Sequence, residues 1–361
     1  MKHAEPIWNN YASRPTHGTL FNNIKTDVCI VGLGGSGLSA ALHACELGYN
    51  VVGIDAKFVA AEAAGRNGGF LLNGFAKFYH ETRQQLGIEE NKRIYQSTMT
   101  EIQWIKDRIP GCAKQTGVLR IAESEEEIKD CEDHLLALRE DGFDAEYYDG
   151  EQGSGILIPP DGVFNPLQRA VSLMEQCKKY GAKFYYDTSA IYFGDNFVKT
   201  QFATIEAHLI IVAVDGYLHK IFPQLSGKIK PVRLQMASTK PSTTKIKLPV
   251  YSNFGYDYWQ QLPDRRVAIG GGRNISEDTE YTDVCLPTDK IQNHLKYKLE
   301  SINVYEPIEN SWAGIVGYTV DGMPVVHEVY KDVWAVGGYN GTGNLIGPVM
   351  TKNIVNQKFN I

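Results

Sequence analysis

The chain has 361 residues, 43% of them hydrophobic and 22% charged, with a formal net charge of −6. That length exceeds one ordinary core and anticipates two domains, while the absence of long apolar runs and of Lys/Arg blocks argues against a membrane span or a nucleic-acid footprint. The first ten residues lack the apolar stretch of a secretory signal, and the six scattered cysteines form no CxxC pair; the expectation is a cytoplasmic protein with reduced thiols and no metal.

Early in the chain, Asp27-Val28-Cys29-Ile30-Val31 predicts a buried parallel strand, and Leu38, Ala41, Leu42 and Cys45 recur at helical spacing until Gly48. Between them lies Gly32-Leu33-Gly34-Gly35-Ser36-Gly37. Strand, glycine turn and helix in this order make a dinucleotide cradle. Gly32 permits the tight turn, Gly34 lets the backbone approach a pyrophosphate, and Gly37 lets helix and strand pack closely. A second strand, Asn50-Val51-Val52-Gly53-Ile54, ends at Asp55, about 20 residues beyond the turn, the place of a carboxylate that holds a ribose hydroxyl. These residues leave open which dinucleotide binds. Then comes Ala64-Gly65-Arg66-Asn67-Gly68-Gly69, whose glycines allow a planar group close to the backbone.

Residues 87–151 predict polar helices over Ile88 to Ile109 and Glu125 to Glu140, the latter started by Ser124, with Gly117 to Ile121 as a strand between them. From Asn165 a helical stripe of Leu167, Ala170, Val171, Met174 and Cys177 closes at Gly181, and Lys183 to Tyr186 reads as a strand. His208 to Ala213 is a nearly continuous apolar strand leading into Val214-Asp215-Gly216, where the chain leaves a sheet. Residues 229–317 read as strands and turns: Pro231 to Thr239, Tyr256 to Leu262, and Arg266 to Gly270. Val333 to Val336 is a last buried strand, followed by Gly337-Gly338-Tyr339-Asn340-Gly341-Thr342-Gly343 and a helix through Val355, a second anion-binding helix N-terminus.

With Trp312-Ala313-Gly314, Asp321-Gly322-Met323-Pro324 and the glycine segments above, the chain resembles the FAD-dependent D-amino acid oxidase, glycine oxidase and sarcosine oxidase superfamily. The Gly-Arg-Asn-Gly-Gly loop, Tyr258 with Gly270-Gly271-Gly272, and the Trp-Ala-Gly ending look most like the gamma-glutamylputrescine oxidase branch. The resemblance implies an α/β fold (α+β over the whole chain): a discontinuous Rossmann-like FAD-binding domain over 1–86, 152–228 and 318–361, and a substrate domain over 87–151 and 229–317, an antiparallel sheet backed by helices. A catalytic cleft is expected at their boundary.

The resemblance also implies where noncovalent FAD is held. Gly32, Gly34, Gly35, Ser36 and Gly37 would take the pyrophosphate, Asp55, Ala56 and Lys57 the adenosine ribose, and Arg66, Asn67, Gly68 and Gly69 the pyrophosphate and flavin side. Ala190 and Ile191 would meet adenine through their backbone, and Gly216 would lie close to the cofactor. Gly338, Tyr339, Asn340, Gly341, Thr342, Gly343, Asn344 and Leu345 would approach the flavin ring, where N–H dipoles stabilise a reduced, anionic ring.

Departures from the family pattern narrow the chemistry. Val316 stands where glycine and D-amino acid oxidases carry a carboxylate-gripping arginine, and Gly341 where glycine oxidase has another, so a free α-amino acid is disfavoured. Ala268 replaces the oxygen-activating lysine of sarcosine oxidases, and no cysteine near Trp312 to Thr319 offers a covalent anchor. The expected reaction oxidises the C–N bond of a primary or secondary amine to an imine by hydride transfer to flavin N5, with molecular oxygen as acceptor giving peroxide. Alternatives are an amino-acid dehydrogenase that uses a quinone or protein acceptor, and a non-catalytic FAD-binding module. Candidate substrate residues are Tyr258, Trp259, Tyr339 and Arg273, with Tyr256 and, as a base, His80 behind them; each aromatic has core packing as its competing explanation.

Overall fold

A computed structural model describes residues 2–13 and 18–361. They form two compact units: Met1–Asn9, Asn67–Asn165 and Val232–Ile315 make the first, and Asn10–Arg66, Pro166–Pro231 and Val316–Ile361 the second. The stretches 67–86 and 152–165, expected with the dinucleotide portion, lie in the first unit, where strand Phe70–Leu71 pairs with Gly162–Phe164.

The second unit is built on a sheet whose centre is parallel: Lys183–Tyr185, Val51–Ile54, Ile24–Val31 and Thr204–Val212 lie side by side, and Val333–Gly337 joins the last of them. Val28, Cys29 and Ile30 are fully buried, as are Leu209, Ile210 and Ile211, which is why both strands read as unbroken apolar runs rather than alternating ones. Helices Gly35–Glu46, Pro166–Lys179 and Gly343–Phe359 pack together, and the last runs beyond the expected end at Val355. The chain passes from Ile24–Val31 to Val51–Ile54 on one side and pairs Thr204–Val212 on the other. The glycine turn therefore sits at a topological switch point, where neighbouring loops diverge and leave room for a ligand.

The first unit carries a nine-stranded sheet, antiparallel at most pairings, with Val250–Ser252 parallel to Val118–Ile121 and Lys2–His3 parallel to Ile308–Thr319. One face buries Leu119, Val250, Trp259 and Ile269 against Ile291, Leu295 and Leu299 of helix Asp289–Ser301. This helix corrects the all-strand reading of 229–317: its apolar residues recur at i, i+4 and i+8 after Thr288, a short helical signal surrounded by strand-like sequence. Near the opposite edge, Phe78, Tyr79, Tyr95, Leu135, Leu138 and Ile156 form a second cluster among helices Tyr79–Leu86, Ile88–Arg108 and Glu125–Glu140. The hairpin Glu146–Gly150 with Gly153–Ile158 completes that edge.

Candidate cofactor and substrate site

In the second unit, Gly32 has φ +99°, and a Cβ there would fall 2.6 Å from the Ala213 carbonyl oxygen. A Cβ on Gly37 would stand 2.1 Å from the Gly32 carbonyl oxygen, so helix and strand meet only because neither residue has a side chain. Gly34 occupies the N-cap of Gly35–Glu46 and provides no capping side chain, which leaves first-turn N–H groups for an anion. Asp55 accepts from the backbone N–H of Leu33 and of Lys57, both at 2.9 Å, and burial pushes its carboxyl up to about 6. Ala56 and Lys57 are exposed, and Lys57 pairs with Glu62. The N–H of Thr188 donates to the Asp55 carbonyl at 2.9 Å and that of Asp187 to the Lys57 carbonyl at 3.1 Å, so half-buried Ala190 and exposed Ile191 follow a segment tied to residues 55–57. Arg66, half-buried, ends the short 3-10 turn Ala63–Gly65.

Two residues absent from the sequence-based candidates organise this unit. Arg169, 1% exposed, sends its guanidinium to the turn: Nη1 donates to the Asn344 carbonyl at 2.6 Å, and Nη2 is so close to Gly35 that a Cβ there would lie 2.1 Å away. It places a permanent positive charge beside the starts of two helices. Asp215, with φ 45° and its carboxylate buried, accepts from Gly338 N at 2.9 Å and Tyr339 N at 3.4 Å through one oxygen and from Gly317 N at 3.0 Å through the other. Burial pushes its carboxyl up to about 6 against the pull of these donors. Gly216 lies next to it, where a Cβ would meet the Val316 backbone at 2.9 Å.

The last loop is held from within. Gly338, Asn340 and Gly341 all have positive φ; the Asn340 side-chain amide donates to the Gly338 carbonyl at 2.9 Å and its oxygen accepts from Thr319 N at 2.9 Å. Thr342 donates to the Tyr339 carbonyl at 3.0 Å and is the N-cap of Gly343–Phe359, whose first turn includes Asn344 and Leu345. Tyr339 corrects an expectation. Its ring crowds Gly343 and Gly347, its hydroxyl lies beside Ser36, and burial pushes that hydroxyl's pKa up, so it packs the two helix starts together rather than lining a pocket. The glycine cradle, the free first-turn donors, the carboxylate at the end of the second strand and the buried cation fit the diphosphate and ribose of FAD.

In the first unit, Asn67 Oδ1 accepts from Gly69 N at 2.9 Å, and Trp8 Nε1 donates to the Asn67 carbonyl at 2.8 Å. Gln260 Nε2 donates to the carbonyls of Gly68, at 2.5 Å, and Gly69, at 3.2 Å. Two residues before it on the same face, Tyr258 wedges its ring between Gly68 and Gly270: a Cβ on either glycine would stand 2.9 or 2.4 Å from that ring. Tyr258 stacks on Tyr251 at 5.3 Å, and Phe70 meets both rings edge-on. Trp259 is the second correction. Strand alternation turns it to the opposite face, into the core with Ile291, Leu295 and Leu299, so it does not share a wall with Tyr258. Arg273 caps the Tyr256 ring at 4.6 Å and pairs with Glu277 at 3.3 Å, and His80 stacks on Phe78 and lies 3.7 Å from Asp130 of helix Glu125–Glu140.

Comparison with known proteins extends this picture over the whole chain. A probable oxidoreductase, OrdL, from Rhizobium meliloti is 25% identical over 92% of this chain and 83% of its own, and the gamma-glutamylputrescine oxidoreductase of Escherichia coli is 24% identical over 90% and 82%. Among solved structures, glycine oxidase from Geobacillus kaustophilus superposes with a TM-score of 0.76 at 17% identity over 94% of this chain and 95% of that one. L-proline dehydrogenase from P. horikoshii gives 0.76 at 18% identity over 92% and 93%. The family model for FAD dependent oxidoreductases matches residues 27–357, and with the cradle described above it establishes that this chain is an enzyme of that family and that its cofactor is FAD.

Proposed function

We propose that the enzyme oxidises the C–N bond of a primary or secondary amine to an imine, with molecular oxygen as the acceptor and FAD held noncovalently. The carrying observation is the Asp215 clamp: one buried carboxylate fixes the N–H groups of Gly338 and Tyr339 and sets the loop that leads to the N-terminus of Gly343–Phe359. When bound, FAD supplies the two-electron acceptor for a substrate hydride. The chain's own residues bind and orient: the helix starts and Arg169 hold negative charge in the second unit, and Gln260 and Tyr258 fix the Gly68–Gly69 backbone in the first. The gamma-glutamylputrescine oxidoreductase relative supports an amine as substrate. Val316 and Gly341, at the family's arginine positions, support an amine over a free α-amino acid.

Ala268 favours a second reading in which electrons pass to a quinone or protein acceptor. It is 1% exposed and pairs with Gln260, on the Tyr258 face, with no charged group to assist oxygen. Purified holoenzyme given diamines, N-acylated diamines and N-methyl amines without oxygen should bleach at the flavin absorbance; bleaching by none of them refutes amine oxidation. Admitting air then separates the acceptors, since fast recolouring with peroxide marks an oxidase and slow recolouring a dehydrogenase.

A further inference from the structure

Three consecutive carbonyls of the first unit are drawn into the protein by donors from distant parts of the chain. Trp8 Nε1 holds that of Asn67 at 2.8 Å, Gln260 Nε2 that of Gly68 at 2.5 Å, and Phe164 N that of Gly69 at 2.9 Å. The N–H of Gly69 is engaged as well, by Asn67 Oδ1 at 2.9 Å. The N–H of Gly68 is not. Gly68 is buried, and among the described residues no acceptor meets this donor. A buried backbone N–H without a partner is costly, so one that persists beside a fully engaged loop calls for an acceptor that arrives with a ligand.

Trp8 decides where that donor points. The Asn67 carbonyl and the Gly68 N–H belong to one peptide unit, and since no described peptide bond is cis, the two groups point in opposite directions. Drawing the carbonyl to the indole therefore turns the N–H away from it. Trp8 has no freedom to follow the loop: it is 2% exposed, its Cη2 lies 2.9 Å from where a Cβ on Gly69 would stand, and its neighbour Ile7 is fully buried. Ahead of them the chain is tied to the nine-stranded sheet. Lys2–His3 pairs with Ile308–Thr319, Ala4 N donates to the Ser311 carbonyl at 2.7 Å, and the Glu5 carbonyl accepts from Asn310 Nδ2 at 3.3 Å. We propose that Trp8 is a positioning residue of the cofactor site, which presents the Gly68 N–H as a hydrogen-bond donor to FAD. The inference rests on the flavin-side place expected for Asn67, Gly68 and Gly69, and it adds to that place the N-terminal segment, 59 residues away in sequence.

Trp8→Phe deletes the indole N–H and keeps an aromatic ring beside Gly69. The holoenzyme of this variant should show displaced visible flavin bands, because the peptide unit is released, and an FAD dissociation constant raised roughly two- to tenfold, the worth of one hydrogen bond. The bands decide, since loss of packing alone lowers the unfolding free energy without moving them. Asn67→Ala, which frees the Gly69 N–H and leaves the indole intact, is the reference for a direct disturbance of the loop. Bands unmoved in Trp8→Phe but displaced in Asn67→Ala overturn the role of Trp8 and leave the loop at the flavin. Bands unmoved in both overturn the flavin-side place of the loop together with the proposal. If Trp8→Phe does not fold, 3-benzothienylalanine at position 8, the same bicycle with sulfur in place of the N–H, undergoes the same measurements and the same outcomes decide.

Discussion

Removing the Asp215 carboxylate should loosen the last glycine loop in a graded way. Three backbone N–H groups converge on it, two on one oxygen and one on the other. In Asp215→Asn the amide oxygen keeps Gly338 and Tyr339, while the NH2 confronts the Gly317 N–H; one buried donor left unsatisfied costs about 1–3 kcal/mol. Asp215→Ala frees all three donors and retains the φ of 45°, so its loss should reach roughly 3–5 kcal/mol, moderated by relief of the carboxylate's own burial. Asp215→Gly removes the same bonds but relieves the left-handed backbone, and should be about 1 kcal/mol more stable than the alanine variant. Urea unfolding of the apoprotein gives the order wild type, Asn, Gly, Ala, and quenching of free FAD fluorescence should show affinity falling in step for Asn and Ala. An Asn variant equal to wild type in both assays would refute the clamp.

Gly37→Ala should abolish FAD retention, since a methyl 2.1 Å from the Gly32 carbonyl oxygen forces helix and strand apart; Gly48→Ala, with φ +89° and open space around it, should cost only about 1 kcal/mol and keep the yellow colour. Trp259→Ala should cost about 3–5 kcal/mol in urea unfolding with substrate affinity unchanged once folded, whereas a selective loss of substrate affinity would return Trp259 to the pocket wall. Asp161 holds its proton to about 7 against an ordinary 3.8 because of burial. Stability from this group is therefore highest below about pH 4 and declines until about pH 7, a span on the order of 4 kcal/mol. Asp161→Asn should match wild type at pH 4 and exceed it at pH 8, and a pH-independent difference in unfolding free energy would contradict that sign.

Residues bound by local backbone constraints were legible. Gly32 and Gly37 announce a close strand–helix approach by their spacing, and the strands around Cys29 and Ile210 announce a sheet buried on both faces. Long-range partners were not. Arg169 reads as one more polar residue in Pro166–Lys179, and only the packing of that helix on Gly35–Glu46 turns it inward. Asp215 looks like a turn residue until the backbone of 317 and 338 arrives more than a hundred positions later. Tyr258 and Trp259 could not be separated because both faces of their strand are buried, which erases the polar alternation that tells one side from the other. Helix Asp289–Ser301 was hidden for a related reason: its stripe of Ile291, Leu295 and Leu299 is narrow and its remaining positions are polar.

The pairing of Thr204–Val212 with both Ile24–Val31 and Val333–Gly337 has a consequence for biosynthesis. The glycine turn leaves the ribosome early, but the loop and helix that pack against it belong to 316–361, and every segment of the first unit is made before them. That unit can acquire its sheet while the other still lacks an interior strand and a helix. Until Val333–Gly337 is made, the strands around Ile210 expose an unpaired edge, which makes chains stalled before residue 333 the place to look for aggregation of this enzyme.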